Sequence, residues 1–411
     1  MVTYVGTLGD DVHAGSETVQ YGLDGHDQLT YNTIGTATLY GGEGDDQLRF
    51  VAGAESGGTL YGGSSNDTLE ANFLAFHQDY FYGDEGDDVL SSYSGEDFLD
   101  GGAGNDTLNG GNGADVLYGQ EGNDTLNGGD DADYLDGGRG TDTLDGGAGD
   151  DTAFGGEGND VILGGLGRDF AEGGRGDDTM VGGPDNSFGL DDVDTMFGGE
   201  GNDAMAGGAS NDILYGGNGN DIIFGGAGAD TILGEGGDDV LLGEDNSGSP
   251  ASPDAISGGD GNDTILGQGS TDILFGNAGN DAIDGGADAD ILYGHEGADV
   301  LFGGDGADLI MGGVGNDVLA GQAGADLFVF GVDHVLDLNA GGVKDGFDLR
   351  SYFDAIGYNG TNPRGDGLLT VSQTAPTPMS AFRASRSSSS TTSWPPRSTT
   401  ATSCSEAELW S

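Results

Sequence analysis

From residue 83 to 330 the apolar residues of this chain fall at a fixed interval, one every nine positions, each preceded by a glycine-rich acidic stretch. The unit is plain in Gly101-Gly102-Ala103-Gly104-Asn105-Asp106-Thr107-Leu108-Asn109, or Gly-Gly-x-Gly-x-Asp-x-U-x with U apolar. Three glycines in six residues supply the positive φ angles and close backbone approach of a tight turn. The triplet x-U-x then forms a very short strand, with U pointing inward and its neighbours outward. Two such halves close a coil of about 18 residues, and coils stacked at ~4.8 Å make two short parallel sheets joined along two edges of turns. The inward column includes Leu99, Leu108, Leu117, Leu126, Leu135, Leu144, Ile162, Leu214, Ile232, Leu274, Leu292 and Leu319. One such residue in nine is a thin core. The predicted fold is an all-β parallel solenoid.

An aspartate keeps the same period. It stands at Asp88, Asp97, Asp106, Asp115, Asp124, Asp133, Asp142, Asp151, Asp160, Asp169 and Asp178 without a break. After a step of 16 it resumes at Asp194, Asp203, Asp212, Asp221, Asp230 and Asp239. After a step of 15 it runs Asp254, Asp263, Asp272, Asp281, Asp290, Asp299, Asp308, Asp317 and Asp326. Turn capping by Asx residues needs no strict period. Nearer the start, Asp27, Asp46, Asp67 and Asp88 are spaced 19, 21 and 21, which reads as one such turn per coil. A different segment, such as Phe50-Val51-Ala52-Gly53-Ala54-Glu55, then closes the other edge. Asp11 is a weaker match.

This repeat closely resembles the RTX (repeats-in-toxin, haemolysin-type) calcium-binding nonapeptide, a parallel β-roll. The resemblance implies calcium ions, each shared between a turn and the next turn stacked on the same edge. The sixth-position Asp supplies the carboxylate, and Gly and x positions supply carbonyls. The aspartates named above, with Asp27, Asp46 and Asp67, are the expected metal ligands. All-oxygen ligation of this kind suits Ca²⁺ rather than Zn²⁺. If the two long steps interrupt the stacks, roughly 20 ions are expected. Fewer are expected where Ser64-Ser65 replaces Gly-x.

Composition gives calcium its purpose. The 411 residues include 88 Gly, and 73 Asp plus Glu face only 10 Lys plus Arg, a formal charge of −63. Such a polyanion repels phosphate and acidic lipid surfaces, which excludes a nucleic-acid partner. A thin core cannot offset the ordering entropy of so many glycines, about 1–2 kcal/mol per residue for the backbone. The expectation is an expanded polyanion in low-calcium cytosol and an ordered rod in millimolar calcium. A single Cys, Cys404, leaves no intramolecular disulfide. No stretch approaches the ~18 apolar residues of a membrane span. The opening residues show no cleavable signal peptide. Extracellular export of the type I kind is what the resemblance implies.

The domain reading is irregular coils over 1–82, the repeat roll over 83–330 with loops near 184–192 and 245–253, a capping segment over 331–371, and a tail over 372–411. The outward pairs Ile273/Phe275, Ile291/Tyr293, Leu309/Met311 and Leu327/Val329 make an apolar stripe, which calls for a cover. Residues 330–371 are expected to fold over it, with self-association the next choice and plain exposed aliphatics the last. The tail has 19 Ser or Thr, no Gly, both Trp and the only Cys, which suggests disorder or a reading-frame shift after about Thr374. A genuine tail puts the family's export signal in doubt. The five His are scattered, and neither a zinc-binding His-Glu-x-x-His helix nor a Gly-x-Ser-x-Gly elbow occurs, so no enzyme is expected. The leading reading is a secreted, non-enzymatic calcium-binding β-roll with a structural or interaction role, and a cell-surface or polysaccharide partner. The alternatives are the repeat region of a toxin, protease, lipase or epimerase lacking its catalytic domain, or a surface-layer or adhesin component.

Overall fold

The computed structural model describes residues 3–51, 56–71, 77–183, 193–244 and 252–329, with the short strands His334–Asp337, Gly346–Asp348 and Phe382–Arg383. The chain divides into two compact units, Met1–Gly226 and Ala227–Ser411. Every regular element described in either unit is a β-strand.

In the first unit the strands alternate between two sheets, each pairing in parallel with the strand one coil away. Phe98–Ala103 lies beside Val116–Glu121, and Thr107–Asn112 beside Thr125–Asp130. The second unit repeats the scheme with Ile273–Ala278 beside Ile291–Glu296 and Ala282–Ala287 beside Val300–Gly306. Parallel strands need a crossover, and here the strand of the opposite sheet provides it without a helix. Register places Leu99 against Leu117 and Leu108 against Leu126, so each inward residue packs on its copy. The predicted inward residues, Leu99 through Leu319, are all at 0 % exposure.

The strands are longer than the predicted triplet. Thr107–Asn112 has six residues, and only Gly113, Ala114 and Asp115 separate it from the next strand. The reason is that Gly-Gly-x keeps pairing with the adjacent coil, Gly111 with Gly129 and Asn112 with Asp130. The bend comes from positive φ at Gly111 (109°) and Gly113 (119°). A Cβ on Gly113 would also collide with the Gly95 carbonyl oxygen of the coil before. Close stacking and glycine therefore require each other.

The outward faces differ. In the first unit one sheet carries Thr107, Thr125 and Thr143 beside Asn109, Asn127 and Asp145. The other carries an aromatic ladder that pattern reading missed. Tyr40, Tyr61 and Tyr82 stack with ring centroids 4.9 Å apart, and Phe98, Tyr118, Tyr134, Phe154 and Phe170 continue the ladder at 5.6–5.7 Å. On an edge of turns, Arg139 bridges Glu121 and Glu157, and Arg175 bridges Glu157 and Glu200. Each exposed pair contributes little alone, but their alternation ties five successive coils in register.

In the second unit the apolar stripe is present, with Ile273 39 % and Leu327 42 % exposed. Two pieces of the expected cap do not cover it. His334–Asp337 and Gly346–Asp348 instead continue the two sheets in parallel beyond Val318–Gly324 and Leu327–Val329. The rest of that segment, the loops 184–192 and 245–251, residues 52–55, and the tail apart from Phe382–Arg383 lie outside the described residues.

Candidate metal sites in the turns

Each repeat aspartate stands where a glycine turn hands over to a strand, and its side chain folds inward. Asp106 is 1 % exposed. Its Oδ1 accepts the main-chain N–H of Asp88, one coil earlier, at 2.7 Å, and its own N–H donates to Asp124 Oδ1 at 2.7 Å. The bond repeats coil after coil. In the first unit one edge carries Asp27, Asp46, Asp67, Asp88, Asp106, Asp124, Asp142, Asp160, Asp178, Asp203 and Asp221. The other edge carries Asp97, Asp115, Asp133, Asp151, Asp169, Asp194 and Asp212. The second unit has Asp239, Asp263, Asp281, Asp299 and Asp317 along one edge, and Asp230, Asp254, Asp272, Asp290, Asp308 and Asp326 along the other.

Two expectations need correcting. The count of roughly 20 ions supposes that the long steps interrupt the stacks, and they do not. Asp169 N–H reaches Asp194 Oδ1 at 2.9 Å and Asp178 reaches Asp203 at 2.8 Å, across 25 residues. Asp230 reaches Asp254 at 2.8 Å and Asp239 reaches Asp263 at 2.9 Å, across 24. The extra residues fall between the glycines and the aspartate of one turn, so the strands on either side keep their places. The front of the chain also has more than one ladder edge. Asp79, in His77-Gln78-Asp79-Tyr80-Phe81-Tyr82, accepts from Gly58 N–H at 2.6 Å and donates to Asp97 Oδ1 at 2.7 Å. It was missed because no glycines precede it. Its 18-residue distance from Asp97 and the Asp-x-U-x that follows were the available signal. Asp11 joins too, donating to Asp27 Oδ1 at 2.6 Å.

The second carboxylate oxygen is the chemically unsettled part. Oδ2 of Asp106, Asp124, Asp133, Asp142, Asp272 and Asp290 is buried with no hydrogen-bond partner, and most other rungs are alike. A buried acceptor left in this state costs about 1–3 kcal/mol, more when charged. Another bare oxygen lies beside it. A Cβ placed on Gly137 would lie 2.5 Å from Asp142 Oδ2 and 2.8 Å from the Gly155 carbonyl oxygen of the next coil. In the second unit a Cβ on Gly267 would lie 2.5 Å from Asp272 Oδ2 and 2.7 Å from Gly285 O. Only glycine leaves that point open, and two acceptors brought to one point with no protein N–H or O–H between them suit a cation. The residues present therefore fit a cation.

The acidities say the same. Burial, opposed by the N–H bond and reinforced by the charge of stacked neighbours, raises the carboxyls of Asp67, Asp133 and Asp272 to about 8. Asp106 and Asp115 rise to about 7, and Asp124 and Asp142 to about 6, for the same leading reason. Among the described residues no three side chains of His, Cys, Asp or Glu converge on one point. The donor set is instead mixed, one carboxylate with main-chain carbonyls. Such an all-oxygen set matches a hard cation of the Ca²⁺ type.

A family model described as the RTX calcium-binding nonapeptide repeat (4 copies) matches successive windows from 38–54 to 302–334, well over half of the chain. No curated protein matches it significantly.

Proposed function

Because the chain belongs to the family of RTX calcium-binding nonapeptide repeat proteins, we propose that it is a secreted, non-catalytic β-roll that folds when calcium fills its turns. The observation that carries this is the column of buried Oδ2 atoms without a partner, seen at Asp106, Asp124, Asp133 and Asp142 in the first unit and at Asp272 and Asp290 in the second. Bound calcium would supply the positive charge that lets each of these carboxylates stay ionised in a dry site. The rung aspartates named above would hold the ions, with the first glycine of the adjoining coil lending its carbonyl.

The chain's own residues account for the dependence. Stacked carboxylates repel along each ladder, the glycines lose the most entropy on ordering, and one inward apolar residue per nine cannot offset both. Because the ladders run through both insertions, the roughly 20 ions expected from interrupted stacks become one for each gap between rungs, 26 of them among the described residues from Asp27 on, 17 in the first unit and nine in the second. An export route that carries unfolded chain into millimolar calcium suits such a protein, and its role outside the cell would be structural or adhesive.

The test is circular dichroism during a calcium titration at neutral pH, with calcium counted in the folded product. A strand signal that rises cooperatively with calcium and vanishes in chelator is expected. A chain equally strand-rich in excess chelator would refute the reading.

A further inference from the structure

The aromatic ladder of the first unit contains a second pattern. Outward positions on either side of the inward residue form two columns. Over five coils they read Phe98/Asp100, Val116/Tyr118, Tyr134/Asp136, Thr152/Phe154 and Phe170/Glu172. The ring changes column at each coil, and on every second coil a carboxylate stands across from it. Asp100, Asp136 and Glu172 are thus two coils apart, about 9.6 Å.

Interlocking of bulky rings explains the zigzag but not the acids. Val116 and Thr152 fill the equivalent place on the intervening coils without desolvating a charge, and burial against the rings costs a carboxylate. Burial raises the carboxyls of Asp100 and Asp136 above their ordinary range. Among the described residues the side-chain carboxylates of these three acids make no hydrogen bond or ion pair. The opposite sheet carries Thr107/Asn109, Thr125/Asn127 and Thr143/Asp145 on its successive coils, a single acid with no ring across from it.

From this face we infer a binding surface for a linear polysaccharide that carries free amino groups. Sugar rings present apolar faces to the aromatic rings and hydroxyls to the gaps, while ammonium groups meet the carboxylates through charge-assisted hydrogen bonds and lie against electron-rich rings. The two-coil repeat suits a rigid polymer whose unit is two sugar rings long. Even after 26 calcium ions offset 52 of the 63 net negative charges the folded chain stays anionic, and with the three carboxylates on this face that disfavours sulfated, phosphorylated or uronate chains and favours a polycation. A second copy of this face would set carboxylate on carboxylate, which disfavours self-association here.

The inference rests on the calcium-folded state proposed above, so binding is measured by calorimetry on the full chain in calcium, with circular dichroism on the same sample. The probe is a soluble chitosan oligomer. Saturable binding is expected. The combined variant D100N/D136N/E172Q should weaken it at least tenfold and leave the calcium titration unchanged. The combined variant Y134S/F170S should weaken it at least fivefold. The fully N-acetylated oligomer should bind at least tenfold more weakly than chitosan. A folded chain that does not bind, a D100N/D136N/E172Q variant that binds as tightly as the parent, or an oligolysine of equal charge that competes equally well each overturns the inference. A chain that fails to fold in calcium sinks both readings.

Discussion

An aspartate at the end of each glycine turn has two oxygens with different fates. At Asp124, Oδ1 is occupied by the Asp106 N–H at 2.7 Å, while Oδ2 is buried without a donor. Replacing Asp124 with Asn keeps the first contact and removes the charge that needs a cation. In calcium, the variant should lose about 1–3 kcal/mol, the worth of one or two sites held well above their Kd. In chelator the sign should reverse, because a desolvated charge is gone, and the variant's strand content should persist to higher pH than the parent's. A denaturant melt in calcium and circular dichroism against pH in chelator measure the two effects. Loss of stability in chelator as well would show that Asp124 serves the fold through packing alone. The glycine two residues into the turn has looser demands. Gln120 holds φ 81° and His295 φ 72° there, at a cost of about 1–2 kcal/mol each.

At the scale of a coil, the decisive fact is that register survives insertion. Residues 184–192 enter between Gly183 and Val193, yet Phe170–Arg175 pairs with Thr195–Glu200 and Thr179–Val181 with Ala204–Ala209 in unbroken register. The insertion is therefore separable from the ladder. Replacing 184–192 with Ala-Gly restores a nine-residue step, and the calcium content and calcium midpoint should both stay within error of the parent. A loss of two or more ions by mass spectrometry would show that the loop supplies ligands. Coil pairing also explains why strands outlast the apolar triplet. Hydrogen bonds to the adjacent coil continue through Gly-Gly-x, which has no side chain that matters to the core.

For the whole molecule, the controlling variable is charge. Carboxyls held at about 6 to 8 in the fold, against an ordinary 3.8, favour the metal-free fold when protonated. That contribution is complete below about pH 4 and is lost as pH rises through 6 to 8. In chelator, strand content should thus be highest near pH 4 and fall steeply by pH 8. With calcium present the dependence reverses, since protons compete for the same oxygens, and the calcium midpoint should drop as pH rises from 5 to 8. Circular dichroism across a pH-by-calcium grid measures both. A metal-free chain as ordered at pH 8 as at pH 4 would mean the rung carboxylates are not the source of the calcium requirement.

The nine-residue period by itself determined the solenoid, the inward column from Leu99 to Leu319 and the aspartates at the turns, because a local turn and a local strand repeat identically and stack on their own copies. Only the tertiary structure decided what depends on distant residues meeting. It carried the ladder from Asp169 to Asp194, since pairing strands hold register whatever length of loop leaves between them. It placed Asp79 on a rung without the glycines that mark the others. It also brought Phe98, Tyr118 and Tyr134 into one file, although they occupy alternating positions of the repeat and share no spacing along the chain. Periodicity records what each unit does alone, and contacts between neighbouring coils record the rest.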